Sequence, residues 1–235
     1  MPTVDVGRVA ELARYPVKSL RGESLDGVRV ERAGLDGDRT WAAYTADGGI
    51  GSGKTTRRFR RIDGLLDHSA VLDGGPAPVI TLGSGSRYRC GDPGTDAALS
   101  AALGRSVTLR AQTDVQHHDE SPVHVVTTAS LRHLEVILGG AVDVRRLRPN
   151  VVLAVEGEGF VEDSWSGRDL RLGDVVLSLG PGMPRCVMVD AAQPGVPMSP
   201  RLLTALGRIE HLCVGLQASV RSGGVVRVGD RAVLL

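Results

Sequence analysis

Aromatic residues make up only 3% of this 235-residue chain, and lysine is scarcer still, with Lys18 and Lys54 its sole instances. With two tryptophans, two phenylalanines and three tyrosines, the core has to be built from valine, leucine, isoleucine and alanine. Three cysteines, Cys90, Cys186 and Cys213, are too few and too scattered for a disulfide framework or a Cys-x-x-Cys zinc site. No apolar run approaches the ~18 residues of a membrane helix. The opening Met1-Pro2-Thr3-Val4-Asp5 has no basic stretch leading into an apolar core, as a secretory signal would. These absences set the expectation of a cytoplasmic protein without a membrane partner. An excess of one charge is missing too: 28 basic against 27 acidic residues leave +1. That argues against a nucleic-acid partner, which needs a broad basic face. A small anionic ligand stays open, because it needs only a local cluster. Lysine supplies a compact point charge that arginine does not copy, so both lysines draw notice.

What is present is a pattern of short strands and tight turns, with 31 glycines and 12 prolines for the turns. Alternation of apolar and polar residues predicts strands over Val6–Tyr15, Leu25–Glu31 and Thr40–Thr45. A short helix is predicted from Thr95, as N-cap, to Leu103, with Gly104 just past its end. The sequence then turns polar, and Gln112 to Pro122 divides the chain into halves, 1–111 and 112–235. Within it His117-His118-Asp119-Glu120 reads as a solvated linker, since adjacent residues rarely converge on one ion. A strand at Val123–Val126 follows, then a helix near Ser130–Leu138 with Leu131, Leu134, Ile137 and Leu138 on one face and Gly139-Gly140 as its stop. Ser199-Pro200 is predicted to open a third helix that Gly207 ends. Leu170–Leu177 and Val226–Val233 repeat one phrase, two short strands about a Gly-Asp turn, and both read as hairpins. Cys213, in Leu212-Cys213-Val214, reads as a buried small hydrophobe, and Cys90 as part of a polar turn. The fold class is mainly β (α+β): a β-barrel core of short antiparallel strands with a few peripheral helices, in two β-rich halves.

One motif points elsewhere. Gly48-Gly49-Ile50-Gly51-Ser52-Gly53-Lys54-Thr55 fits the phosphate-binding pattern G-x-x-x-x-G-K-[ST] at every fixed position. Read alone, it announces a P-loop nucleotide hydrolase. The context it requires is a buried strand before and an apolar helix after. Here four arginines occupy five positions from Arg57 to Arg61, and no strand–helix alternation follows. The hydrolase remains an alternative reading.

Chemistry concentrates in three segments. Cys186 follows Arg185, and a thiol beside arginine tends toward thiolate, a nucleophile or a ligand for soft metals. An inert half-buried cysteine is the plain alternative. Arg146, Arg148 and Asn150 stand two apart before the apolar run Val151–Val155, so in an extended segment they point to one side. They face either an anionic ligand or ordinary ion pairs in solvent. Lys18-Ser19, after Tyr15-Pro16-Val17, and Arg39, in Gly37-Asp38-Arg39, are phosphate-binding material.

Together, Tyr15–Ser19, Gly34–Arg39, Ser121–Leu131, Arg146–Asn150 and Arg185–Asp190, with Trp165-Ser166-Gly167 and Val228-Gly229-Asp230, resemble the ordered motifs of the MOSC family with its N-terminal β-barrel domain. The resemblance implies an N-terminal MOSC barrel-like domain over 1–111 and a MOSC domain over 112–235. It implies a molybdenum cofactor (Mo-molybdopterin) between them, with Cys186 as catalytic residue and metal ligand. In sulfur-transfer relatives the same cysteine carries a persulfide, so a sulfur or cofactor carrier is a second alternative. Lys18, Ser19, Arg39, Arg146, Arg148, Asn150 and Arg185 would hold the pterin and its phosphate, with Thr127, Thr128 and Ser130 as weaker members. The implied activity is reduction of N-hydroxylated small molecules, as in the amidoxime-reducing enzymes. With no cysteine cluster for iron–sulfur, electrons would come from a separate donor protein of ferredoxin or flavin type.

Overall fold

The structure, a computed structural model, describes residues 3–199, 201–209 and 211–235. A closed seven-strand barrel forms its main core. Around the barrel run Val151–Ala154, Val123–Thr127, Cys213–Ser222, Val175–Pro184, Asp169–Leu172, Arg231–Leu234 and Val4–Arg14, and the last pairs back onto the first. Six of these strands come from the second half of the sequence; the one that closes the ring comes from the very start. Neighbours are antiparallel except Val123–Thr127 and Val151–Ala154, which run parallel. A parallel pair needs a crossover, and the helix Thr128–Leu138 lies in that connection.

The closing strand bends to reach both neighbours. Its register slips between Asp5 and Gly7 against one and between Val9 and Glu11 against the other, which are the irregularities that let a strand turn a barrel corner. Gly7 makes the first possible: its φ is 139°, and a Cβ there would lie 2.0 Å from the Ala154 carbonyl oxygen. Inside, Leu12, Leu153, Leu170, Leu172, Leu177 and Leu216 are all but inaccessible. Leu170 and Leu172 alternate with exposed Arg171, as period-two patterning requires.

A second core lies under the residues between the opening strand and Gln112. Val17, Leu20, Ile62, Leu65, Ile80, Leu99 and Leu109 fill it. Trp41–Tyr44 with Thr108–Ala111, Ile50–Ser52 and Phe59–Arg61 form one small sheet, and Ser69–Val71, Val79–Thr81 and Arg87–Arg89 another. A third cluster, Val126, Leu134, Leu147, Val189, Leu202, Leu206 and Val214, seats the helices Thr128–Leu138 and Leu202–Arg208 on the barrel. The aliphatic composition expected of the cores is what fills them.

Several local expectations are corrected. Gly94, not Thr95, caps the helix Thr95–Leu103, and the Thr95 hydroxyl instead donates to the Arg89 carbonyl at 2.8 Å. The next helix starts two residues before Ser130, capped by Thr127. Gly207 lies within the helix Leu202–Arg208 rather than ending it, and Pro200 lies outside the described residues. Asp169–Leu172 and Val175–Pro184 make the predicted hairpin. Its echo does not: Gly224–Arg227 pairs with Gly27–Glu31, whereas Arg231–Leu234 pairs with the opening strand and Asp169–Leu172. The same Gly-Asp turn thus sends two strands to different sheets. Cys90, in its turn, is buried at 3% and Cys213 is half-buried, the reverse of the expected order.

Candidate active site

Residues from both halves of the sequence converge on one cleft, lined by Lys18, Ser19, Arg39, Lys54, Asp119, Glu120, Arg146, Arg148, Asn150, Arg185 and Cys186 among others. Six cationic side chains there face two carboxylates, so in a chain of net charge +1 this is a concentrated positive field.

Backbone conformation marks the same place. Among the described residues, three that are not glycine have positive φ: Ser19 at 65°, Arg39 at 53° and Arg148 at 53°. Each costs about 1–2 kcal/mol for an L-residue, and all three line the cleft. Such strain persists only where surrounding contacts over-determine it. Here the Lys18 amide donates to the Trp41 carbonyl and the Arg39 amide to the Tyr15 carbonyl, both at 2.8 Å. Tyr15 is the common support. Its hydroxyl donates to the Pro149 carbonyl at 3.1 Å, and the Arg148 and Arg39 guanidiniums sit 4.2 and 5.0 Å from its ring centroid. Burial pushes the Tyr15 phenol up to about 12, so it stays neutral beneath two cations.

The two lysines meet on one carboxylate. Lys18 is ion-paired to Asp119 Oδ1, and Lys54 Nζ lies 2.8 Å from Asp119 Oδ2. Both ammoniums also sit over the buried Phe59 ring, at 4.4 and 5.3 Å from its centroid. Burial pushes Lys18 down to about 8 despite the opposing pull of Asp119. Burial alone would raise the Asp119 carboxyl, but the two lysines hold it well below the usual carboxylate range. Burial works against the charge of Lys54 as well, yet Asp119 and the neighbouring Cys186 hold its ammonium above the ordinary value.

The remaining polar residues mostly build the walls. Arg146 donates to the carbonyls of Val189 and Ala191, at 3.1 and 3.3 Å, and to that of Pro197, which fastens the segment after Cys186. Arg185 donates to the Met183 and Leu147 carbonyls at 3.1 and 2.9 Å, and Arg148 to that of Leu20 at 2.8 Å. Burial pushes the Arg148 and Arg185 guanidiniums down to about 10, still charged at neutral pH. Asn150, 1% exposed, accepts from the His124 amide at 3.2 Å and Arg39 at 3.3 Å, and donates to the Ala13 carbonyl at 3.3 Å. Cys186 is half-buried and opens a short 3-10 turn over Val187–Asp190. Among the described residues no group of three His, Cys, Asp or Glu side chains converges on a metal position. A metal held by Cys186 would therefore meet one protein thiol and must bring other ligands with it.

Of the expected site residues, Lys18, Ser19, Arg39, Arg146, Arg148, Asn150, Arg185 and Cys186 are brought together. Thr127, Thr128 and Ser130 are not among the cleft residues. The Thr127 and Ser130 hydroxyls both donate to Glu162 Oε2, at 2.7 and 2.6 Å, while Thr128 exchanges hydrogen bonds with the Val155 backbone at 3.1 and 3.0 Å. They cap a helix and fix a buried acid. The solvated-linker reading of 117–120 is corrected for its first two residues: His117 is 0% and His118 7% exposed, whereas Asp119 and Glu120 are exposed, with Asp119 bridging the lysines. Lys54, Asp119, Glu120 and His124 join the cleft without having been expected there. The sequence signals for Lys54 were the rarity of lysine and its place in the phosphate-loop match, which pointed to a different fold.

The nucleotide-hydrolase alternative loses its structural context. Ile50–Ser52 is a strand running antiparallel to Trp41–Tyr44 and parallel to Phe59–Arg61, and the first element after Thr55 is that last strand, not a helix. The glycines form a strand connection rather than a loop opening a helix.

Comparison with known proteins agrees with this architecture. Residues 112–233 match the MOSC domain and residues 6–73 the MOSC N-terminal beta barrel domain. Mitochondrial amidoxime reducing component 2 of Bos taurus is 27% identical over 78% of this chain, which spans 66% of that protein's length. Mitochondrial amidoxime-reducing component 1 of Mus musculus is 26% identical over 98% of this chain and 83% of its own. The YUAD protein of Bacillus subtilis shares the fold, with a TM-score of 0.56 at 14% identity over 99% of this chain and 97% of its own. No helix among the described residues is long and apolar enough to cross a membrane. With the MOSC match alone spanning more than half of its residues, the chain belongs to the MOSC domain family.

Proposed function

We propose that this chain is a molybdenum-cofactor oxidoreductase that reduces N–O bonds in N-hydroxylated small molecules, using electrons from a separate donor protein. The observation that carries this reading is the single half-buried thiol, Cys186, in a cleft with six cations, two of them on strained backbone. The donor set fits such a cofactor. One protein thiol suits a soft metal whose other sulfurs come with the pterin, and the cations suit a phosphate.

When bound, the cofactor supplies a molybdenum centre with dithiolene sulfurs and two-electron chemistry. The chain's part is to hold and aim it. Cys186 is the protein's sulfur for the metal. Lys18, Ser19, Arg39 and Arg148 would hold the pterin and its phosphate, with charged groups and donors already in place. Arg146, Arg185 and Asn150 act as positioning residues, because their polar atoms are spent on the backbone around Cys186 and His124. For an amidoxime, cleavage of the N–O bond consumes two electrons and two protons; oxygen leaves as water and an amidine remains.

The test pairs a content measurement with an activity. Protein from a molybdate-fed host is expected to carry molybdenum and pterin together. It should reduce benzamidoxime with a viologen donor. Cys186→Ala should lose that activity by at least about 100-fold, since even outer-sphere partners of a metal are worth 10–100-fold. Equal activity in both proteins would remove Cys186 from the mechanism, and absence of metal and pterin would defeat the proposal.

A further inference from the structure

Under the reductase reading, on which this inference rests, the cleft is the cofactor's. The body of a substrate whose N–O group reaches Cys186 therefore has to lie beside it. A groove of about 390 Å³, a size that suits a small molecule, adjoins the cleft there. The two hollows share Met188 as a common wall. Another hollow, near Arg8 and Trp165, shares no residue with the cleft. Gly53 holds Met188 in place from the groove side: a Cβ at that position would lie 2.4 Å from Met188 Cγ.

The groove differs from the cleft in two ways. It is apolar: Leu65 and Leu66 line it from the core, and Val187 and Met198 line it while remaining 52% and 69% exposed. Apolar side chains left this open to water are covered when an apolar ligand settles on them. It is also acidic. Asp63, Asp67 and Asp190 line it with one cation, Arg61, which leaves two negative charges in excess, whereas the cleft sets six cations against two carboxylates. The sign of the field thus reverses across Met188. Not every acid is equally free. Asp63 is paired with Arg61 at 2.9 Å, but both are largely exposed, so the pair is weak. One oxygen of Asp190 accepts from the amides of Leu202 and Leu203 at 3.1 and 3.3 Å. Asp67 is exposed, and among the described residues no cation pairs with its carboxylate; Arg21 donates instead to its backbone carbonyl at 3.2 Å.

We infer that this groove receives the body of the substrate and selects, among N-hydroxylated small molecules, those with an apolar ring and a cationic far end. Val187 and Met188 follow the thiol directly in sequence, so a ring seated on them keeps its reactive end at Cys186. Its far end then lies among Asp63, Asp67 and Asp190, which attract a cation and repel an anion.

Benzyltrimethylammonium and phenylacetate, a ring with a cation and a ring with an anion, are the probes. Methyl NMR of the whole chain, purified from a molybdate-fed host, reports where they bind. Of its four methionines, Met198 lines the groove and not the cleft, and Met183 the cleft and not the groove. Benzyltrimethylammonium is expected to shift the Met198 signal and leave that of Met183 in place. It should bind at least about 5-fold more tightly than phenylacetate at low ionic strength, a gap that salt narrows. Asp63→Asn/Asp67→Asn removes the excess negative charge and should close most of that gap. Asp26→Asn/Asp174→Asn makes the same change in net charge at exposed turn positions, before Gly27–Glu31 and before Val175–Pro184, and should change the gap by less than about 2-fold. An unmoved Met198 signal, phenylacetate bound as tightly as the cation, or equal effects of the two double variants would overturn the groove's assignment. Viologen-driven turnover should show the same preference. In wild type, kcat/KM for para-(trimethylammoniomethyl)benzamidoxime should exceed that for para-(carboxymethyl)benzamidoxime by about 5-fold or more. That ratio, from which cofactor content cancels, should fall toward one in Asp63→Asn/Asp67→Asn; a ratio near one in wild type would overturn the selectivity and leave the reductase reading standing. Absence of any benzamidoxime turnover would sink the reductase reading, while the methionine signals still decide whether the groove takes cations.

Discussion

Lys18 offers a stability measurement whose sign and size follow from its burial. Its side chain is 5% exposed and its ammonium titrates at about 8 instead of 10.5, because burial disfavours the charge and Asp119 only partly offsets that. The gap corresponds to on the order of 3 kcal/mol, at about 1.4 kcal/mol per pH unit. Below pH 8 both folded and unfolded chains hold the proton, and the folded state bears the whole penalty. Between about 8 and 10.5 the folded chain has released it while the unfolded chain still binds it, so stability rises with pH. Lys18→Met keeps much of the volume and abolishes this titration. Urea unfolding of both proteins at pH values spanning that window isolates the effect, since groups that titrate alike in both cancel. The stability of wild type minus that of Lys18→Met should climb by about 3 kcal/mol across the window, with m-values unchanged. A difference that stays flat, or falls, would refute the claim that Lys18 is a buried cation only partly compensated by Asp119.

Two further substitutions separate strain and capping from binding. Ser19→Gly relieves a positive φ of 65° at some cost in unfolded-chain entropy, so its stability should stay within about 1 kcal/mol of wild type while retained pterin falls. A larger loss of stability in chemical unfolding would show that Ser19 is a structural residue. Thr127→Ala removes both a helix cap and a donor to Glu162, and should cost about 1–2 kcal/mol. Pterin per folded molecule should not change in that variant; a fall would return Thr127 to the binding set.

Much of the fold is legible in short stretches of sequence. Period-two alternation marks Asp169–Leu172, because one face meets the barrel interior, whereas in the opening strand the buried Val9 and Leu12 stand three apart across its register slip. Gly104 and Gly139 mark helix ends because their left-handed φ, 60° and 68°, is a local demand. Gly207 misleads, since glycine is tolerated inside a helix when neighbours such as Leu202 and Leu206 are buried. The site was legible in its chemistry but not in its full membership. Eleven positions were foreseen as site residues, and eight of them line the cleft while Thr127, Thr128 and Ser130 do not. Asp119 was read as linker and Lys54 only as part of a nucleotide loop, because nothing local shows that the two lysines share one carboxylate over Phe59.

By itself the sequence determined the aliphatic make-up of the cores, the abundance of short strands, and a cysteine beside arginine, all properties of neighbours along the chain. Only the tertiary structure decided that Val4–Arg14 closes a barrel otherwise built from the second half, and that twin Gly-Asp phrases part company. It also decided that Asp119, in a polar run, becomes the counter-ion shared by the two lysines. These are pairings between residues far apart in sequence, and their free energy comes from burial and register, which a local pattern does not carry.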